Sequence, residues 1–319
     1  MLMLDGLRVH DLPAGMPAGA VWIDLLDGTG DEIAWVERET GLHVPDRAEL
    51  SEIESSSRLR TEANAIFLTT PVVFRDGAGM SITTSLGFVL SQSWLITVRF
   101  EPLTAFKTFT TAWTKSDVKD RSSPAAFVGA MDAIVDRIAD VLETVGSELD
   151  AVSLHVFSVH KGGPPAREDA NLRAILRQIG RSGDIASKIR DSLLGVARIV
   201  PYVLGQSSEA LPLALRLRLE TQRADIASLN DYNLHLTNKV QLLLDATLGL
   251  INIEQNNIIK VLTVVSVVGV PPTLVASMYG MNFHDMPELS WAWGYPYGLA
   301  LILLSAVCPV IWFKLCGWL

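Results

Sequence analysis

Between Lys260 and Lys314 this chain of 319 residues carries no Lys or Arg at all, and that gap restricts its architecture more than any motif does. Within it lie two uncharged, overwhelmingly apolar runs, residues 261–279 (VLTVVSVVGVPPTLVASMY) and 291–313 (WAWGYPYGLALILLSAVCPVIWF). Each is long enough to cross a hydrocarbon core of about 30 Å as a helix. The connector, residues 280–290 (GMNFHDMPELS), has Asp285 and Glu288 as its only formal charges. Spans this close form a helical hairpin with both outer ends on one side. Basic residues flank the pair and acids lie inside it, so the positive-inside rule places Lys260, Lys314 and both termini in the cytoplasm. Trp291, Trp293, Tyr295 and Tyr297 then make an outer aromatic belt, and Trp312 with Trp318 an inner one. The expectation is a multi-pass protein of the inner (plasma) membrane with its bulk inside the cell.

The soluble part is organised around that anchor. A net charge of −9 argues against nucleic acid as a partner, because phosphates demand a basic footprint. The N-terminal stretch MLMLDGLRVHDLPAG lacks a basic region followed by a long apolar core, so it does not read as a secretory signal. Cys308 and Cys316 both fall in or just after the second run, and two such positions make neither a disulfide framework nor a thiolate metal cage.

Residues 20–27 read as a strand, followed by a helix start in which Thr29 and Glu32 have capping-box spacing and Asp31 adds acid to the first turn. Gly41 and Pro45 close that helix. Residues 65–74, 81–90 and 94–99 read as strands, with Asp76-Gly77-Ala78-Gly79 as a hairpin turn rather than a nucleotide loop. From Pro124 the period turns helical: Phe127, Met131, Ile134, Ile138 and Leu142 form a stripe within residues 125–157. His155 and His160 near its end read as structural. A break at residues 161–165 precedes a second helix, 168–200, whose Arg173, Arg177 and Arg181 make a solvated face. Beyond Pro201 and Ser207-Ser208 no stop is seen before Tyr279. One helix of about 70 residues spans about 105 Å at 1.5 Å per residue, so a cytoplasmic stalk is expected. The divisions are 1–205 for an α/β domain with a helical layer, 206–260 for the stalk helix, and 261–279 for a pore-lining first span. An outer loop (280–290), a second span (291–313) and a tail (314–319) complete the chain.

Two spans cannot enclose an aqueous pathway, so a transport role requires several copies around an axis. Ser266, Val270, Thr273 and Ser277 step by three or four residues and share one side of the first span. Asp245, Gly249, Asn252 and Asn256 continue a small, polar or acidic face below it. Close helix packing produces the same pattern in membranes. The polar turn that follows, with Asn282 just past the last serine, favours a pathway. Amide oxygens suit a hydrated hard cation such as Mg²⁺, whereas Zn²⁺ or Cu would ask for His, Cys or Met on this face.

Tyr279-Gly280-Met281-Asn282-Phe283 followed by Met286-Pro287-Glu288-Leu289 resembles the signature loop of the CorA family of divalent-cation channels. The likeness extends upstream through Ile253-Glu254-Gln255-Asn256-Asn257-Ile258-Ile259-Lys260 and Pro271-Pro272-Thr273-Leu274-Val275-Ala276-Ser277. Downstream it takes in Gly294-Tyr295-Pro296 and Trp318-Leu319, and Trp22-Ile23-Asp24-Leu25-Leu26 looks like the family's first strand. The resemblance implies a homopentamer with a funnel-shaped α/β cytoplasmic domain, a long stalk helix and two C-terminal transmembrane helices. It implies Mg²⁺ as transported and regulatory ion, with Co²⁺ and Ni²⁺ as further cargo. On these positions it makes Gly280, Met281 and Asn282 the selectivity filter and Asn256, Thr273 and Ser277 polar pore residues. Leu262 with Val270 becomes the apolar gate, and Asp245 an acidic ring at the inner mouth. Glu288, with Asp285 beside it, would raise the local cation concentration. The regulatory sites lie between subunits in this family; Asp225 and Asp231 are the candidates here.

Two departures stand out: Gly269-Val270 where bulkier apolar residues are expected, and a single Lys314 where the family has a basic cluster. A zinc transporter of the related ZntB type shares the architecture and is the nearest rival; the Met-Pro-Glu-Leu loop favours the magnesium channel. A membrane-tethered sensor or scaffold is the alternative from another class. An enzyme is not expected, because no nucleophile–base set, phosphate loop or zinc-hydrolase motif is present.

Overall fold

The computed structural model describes the whole chain except residues 53, 63, 76–80, 116, 118–120, 158–164, 207–210, 282–285 and 319, with backbone alone at 55, 56, 75, 165–170 and 289. It divides into two units, Met1–Gly163 with Arg173–Leu244, and Pro164–Leu172 with Asp245–Leu319.

The first unit is built on a seven-stranded sheet. In chain order its strands are β1 (Leu2–Leu4), β2 (Leu7–Arg8), β3 (Trp22–Leu26), β4 (Leu59–Glu62), β5 (Ala65–Arg75), β6 (Ser81–Ser91) and β7 (Leu95–Arg99). They lie side by side as β2-β1-β3-β7-β6-β5-β4. All pairings are antiparallel except β3 with β7, where Trp22 faces Leu95 and Asp24 faces Thr97. Three helices punctuate the strands: α1 (Gly30–Thr40), α2 (Arg47–Leu50) and α3 (Ser55–Arg58). Four more follow: α4 (Thr104–Lys115), α5 (Ser123–Phe157), α6 (Pro165–Gln206) and α7 (Leu213–Tyr279).

Alternation along the strands sends side chains to two buried faces. Ile23 and Leu25 of β3, Val89 of β6 and Ile96 and Val98 of β7 meet Trp35 and Val36 of α1 and Leu50 of α2. On the opposite face Trp22 lies 4.6 Å from the Phe109 ring of α4, and Phe88 meets Phe127 of α5 edge-on at 5.6 Å. At Gly195 of α6 an added Cβ would stand 2.2 Å from Thr70 Oγ1, so this helix passes close over β5. Helices thus cover both faces, which is why β3 and β7 read as continuous buried runs.

The local signals act as the chemistry requires. Thr29 Oγ1 accepts from the Glu32 amide at 3.3 Å while Glu32 Oε2 accepts from the Thr29 amide at 2.8 Å, and Gly41 closes α1 at φ 68°. Strands β5 and β6 pair from Ala65 opposite Ser91 to Arg75 opposite Ser81; the turn expected at residues 76–79 lies outside the described residues. The α5 stripe is buried throughout, and Arg173, Arg177 and Arg181 are exposed. The expected break at 161–165 and His160 fall mostly outside the described residues, with Pro165 opening α6.

Helix α6 does not stop at Pro201 but runs on to Gln206. A proline inside a helix costs about 3 kcal/mol, while full burial of one Val or Ile contributes about 1.5–3 kcal/mol. Val196, Ile199, Val200 and Val203 are all fully buried, so packing outweighs the lost hydrogen bond.

His43, between α1 and α2, carries a testable charge. Its Nδ1 lies 3.0 Å from Glu37 Oε1 and its Nε2 3.0 Å from Glu49 Oε1. Only the imidazolium donates from both nitrogens. The bond to Glu49 pushes the imidazole pKa up; partial burial opposes this and Glu37 adds to it. The stabilisation is therefore fully present below the unfolded pKa of about 6.5 and is lost as pH rises through the higher folded value. An NMR titration is expected to find His43 above the usual imidazole range and Glu49→Gln to bring it down. An unshifted His43 in the parent protein refutes the charged bridge.

Candidate ion pathway

The second unit contains the last part of α7, a 3₁₀ turn (Pro287–Ser290) and α8 (Gly294–Leu315). The hydrophobic stretches of α7 and α8 have mean hydropathies of 2.0 and 2.1, with 0% and 6% of their residues buried. Helices this apolar and this uncovered belong in hydrocarbon or against further apolar helices.

At 3.6 residues per turn, Asp245, Asn256, Leu262, Val270, Thr273 and Ser277 fall within an arc of roughly 120° on α7. All six are exposed, Leu262 at 65% and Val270 at 63%. Ile259, 59% exposed, lies on the same arc and is a further apolar candidate, one turn from Leu262. Its sequence signal is the same three-residue step. Thr273 Oγ1 donates to the Gly269 carbonyl at 2.8 Å. The hydroxyl hydrogen is thus spent on the backbone, and the oxygen presents acceptor lone pairs, which suit the outward hydrogens of a hydrated cation. Pro271 and Pro272 lie within the helix and supply no N–H, so the carbonyls of Val267 and Val268 lose their usual donors.

The helix ends tightly. Gly280 donates to Ala276 O at 3.0 Å and Met281 to Met278 O at 3.3 Å. A Cβ at Gly280 would lie 3.3 Å from the Ala276 carbonyl. Asn282 and Asp285 lie outside the described residues. Glu288 sits in the 3₁₀ turn, and its carbonyl accepts from Trp291 at 3.4 Å. A Cβ on Gly294 would come 2.1 Å from that same carbonyl, so the entry to α8 requires glycine there. This return places Trp291 and Trp293 ahead of α8, which starts three residues into the expected span.

At the other end α8 closes with Gly317 at φ 70°, Gly317 donating to Lys314 O and Trp318 to Phe313 O. This is the paired bonding of a Schellman motif, and the Trp318 ring stacks on Phe313 at 5.5 Å as its apolar contact. Lys260 Nζ lies 5.9 Å over the Trp318 ring. The start of the first span and the end of the second therefore meet, as a hairpin requires.

The two regulatory candidates are on the first-unit part of α7. Both are exposed, but six residues separate them, which is roughly 120° of rotation, so they do not share a face. Asp225 joins an acidic group with α5: burial, then the charges of Asp132, Asp140 and Asp225, push the Asp136 carboxyl up. Asp132 itself accepts from Arg218 and Gln222. Among the described residues no three His, Cys, Asp or Glu side chains are grouped to hold a metal ion. The polar arc of α7 is left as the candidate.

Known proteins fit this arrangement. The family described as CorA-like Mg²⁺ transporter protein matches residues 17–315. The magnesium transport protein CorA of Sodalis glossinidius is 33% identical over 319 residues, covering 99% of this chain and 98% of its own length. That of Escherichia coli strain K12 is 32% identical over 300 residues, covering 94% and 92%. The fold resembles the complete structure of the CorA magnesium transporter from Methanocaldococcus jannaschii, with a TM-score of 0.74 at 19% identity over 93% of this chain and 91% of that one. It also resembles the ZntB cytoplasmic domain from Vibrio parahaemolyticus, with a TM-score of 0.53 at 15% identity over 72% of this chain and 87% of that domain. Identities this low speak to fold alone. The sequence match, in contrast, runs from the α/β unit through both spans and the loop between them: the chain belongs to the CorA-like Mg²⁺ transporter family.

Proposed function

We propose that this chain carries Mg²⁺ across the inner membrane along the polar arc of α7, in a symmetric homo-oligomer with lipid around it. The observation that carries the reading is the order of the residues: the arc ends at Ser277, and Gly280-Met281-Asn282 follows at once between the two spans. In this reading Asn282 holds a hydrated Mg²⁺ with Gly280 and Met281 shaping the filter. Ser277, Thr273, Asn256 and Asp245 line the path inward, Leu262 with Val270 closes it, and Glu288 with Asp285 concentrates cations outside. Several copies are needed because two spans enclose nothing; five follow from the family resemblance. Lys260 and Lys314 orient both termini toward the cytoplasm. Co²⁺ and Ni²⁺ are further cargo on the same chemistry.

The test is metal-selective flux by the purified full chain in liposomes. Mg²⁺ influx is expected, with Asn282→Ala and Asn282→Asp losing it or changing its selectivity while the oligomer stays assembled. Parental flux in both variants refutes the filter. Zn²⁺ flux without Mg²⁺ flux favours the zinc transporter, and no flux of any ion is the outcome expected of a membrane-tethered sensor or scaffold.

Intracellular Mg²⁺ also closes the pathway in this reading. Acids gathered at subunit contacts repel unless a cation lies between them, so bound Mg²⁺ favours the closed assembly. Asp225 and Asp231 on α7 are the acids assigned to those contacts in this reading, and both are exposed. Millimolar Mg²⁺ is expected to protect the soluble unit from limited proteolysis and a chelator to remove the protection. Identical digestion patterns overturn closure by Mg²⁺ and leave the pathway untouched.

A further inference from the structure

A cavity of about 80 Å³ opens in the first unit between the end of β5, the start of α4, and the flanks of α5 and α6. Its wall is mostly apolar, with Val72, Phe74, Leu103, Ile134, Ile138 and Ile189 lining it and Ser192 as a polar member. Donors stand at its edge. Arg137 lines the cavity, and its one ion pair among the described residues, with Asp140 Oδ2, is 3.8 Å long, beyond hydrogen-bond range. Thr104 and Ala105, the first residues of α4, line it too. That helix starts without a capping side chain: Leu103 precedes it and contributes only its carbonyl, to the amides of Phe106 and Lys107. Among the described residues the amides of Thr104 and Ala105 therefore have no acceptor.

A guanidinium and two amides without a protein acceptor, beside a mostly apolar hollow, suit an anion with a short apolar tail. We propose that this cavity binds a small aliphatic carboxylate, its tail against Ile134, Ile138 and Ile189 and its carboxylate on Arg137 and the Thr104 and Ala105 amides. The volume sets the tail length. It is about half that of a ~150 Å³ cavity known to take up benzene, so about three carbons fit. Charge sets the head group: Asp136 and Asp140 lie on α5 within a turn of Arg137, and they disfavour a dianion such as phosphate relative to a single carboxylate.

The probes are acetate, butyrate and the neutral butyramide, titrated calorimetrically into the full chain in detergent. Each methylene buried is expected to tighten binding about fourfold, so butyrate binds more than tenfold tighter than acetate. Butyrate is also expected to outbind butyramide, and Arg137→Gln, a change at a half-exposed position, to erase that preference while leaving the melting temperature unchanged. The proposal is overturned if butyrate shows no saturable binding at millimolar concentration, if butyramide binds equally well, or if Arg137→Gln binds butyrate as the parent does.

Discussion

Arg99→Ala is expected to cost the α/β unit about 3–5 kcal/mol, the range found when one partner of a buried ion pair is removed. Asp24 is fully buried and the Arg99 side chain is 6% exposed. Arg99 Nε and Nη2 donate to the two carboxylate oxygens at 3.0 and 2.7 Å, and Thr97 Oγ1 donates to Asp24 Oδ1 at 2.7 Å. Arg99 Nη1 reaches on to the Glu101 carbonyl at 3.0 Å, and its guanidinium lies 4.9 Å over the Phe106 ring. One side chain thus ties β3 to the chain leading into α4. Removing it leaves a charged carboxylate in the sheet with a single hydroxyl donor. Domains of this kind have about 5–15 kcal/mol in hand, so most of the margin goes. The double change Asp24→Leu with Arg99→Met removes both charges and is expected to recover most of the loss. Denaturant unfolding of the full chain in micelles, followed by tryptophan fluorescence, reads both. A loss below about 1 kcal/mol for Arg99→Ala contradicts the assigned role.

That pair shows what a sequence hides. Asp24 and Arg99 are 75 positions apart, and each sits in a run that reads simply as a strand. Only the parallel pairing of β3 with β7 brings them together. Features written in neighbouring residues were legible: the Thr29–Glu32 capping box, the α5 stripe, the long β5 and β6 strands and both apolar spans. The sequence expectations contain no helix at α4, although Ala105, Phe106, Phe109 and Trp113 are spaced for one buried face. Threonines fill the positions between them and lower the helical signal. Strands β1 and β2 have three and two residues, too short for any period to show. Asp225 reads as a stalk acid from the α7 sequence by itself. Its charge acts toward Asp136 on α5, a neighbour that no spacing within α7 reveals. That Thr273, Val270 and Leu262 share one face is legible from the helical period of α7 alone, and their place on a pathway is the proposal built on it.

Leu262→Asn is expected to raise Mg²⁺ leak through the assembled protein at high internal Mg²⁺ by at least a hundredfold. An apolar constriction closes by shedding water, and the closed state gains from each apolar side chain that faces the lumen. Leu262 exposes 65% of its surface on the α7 arc, and in an assembly every copy presents the same residue. Replacing a leucine by a hydrogen-bonding amide shifts the wetting balance by about 2 kcal/mol per copy. Every 1.4 kcal/mol is a factor of ten in an equilibrium, so two contributing copies already exceed the expected rise. Val270→Asn is expected to act in the same direction but less. Valine is smaller than leucine, and Gly269 beside it adds no side chain, so a ring of Val270 would exclude less water than a ring of Leu262. Val265, 63% exposed and roughly 120° from the centre of the arc, is the control, and Val265→Asn should leave the leak unchanged. Dye-reported efflux from liposomes loaded with Mg²⁺ measures all three. If Leu262→Asn and Val270→Asn stay as tightly closed as the parent, the constriction lies elsewhere on α7. Ile259, on the same arc one turn toward Asn256, is then the next residue to replace.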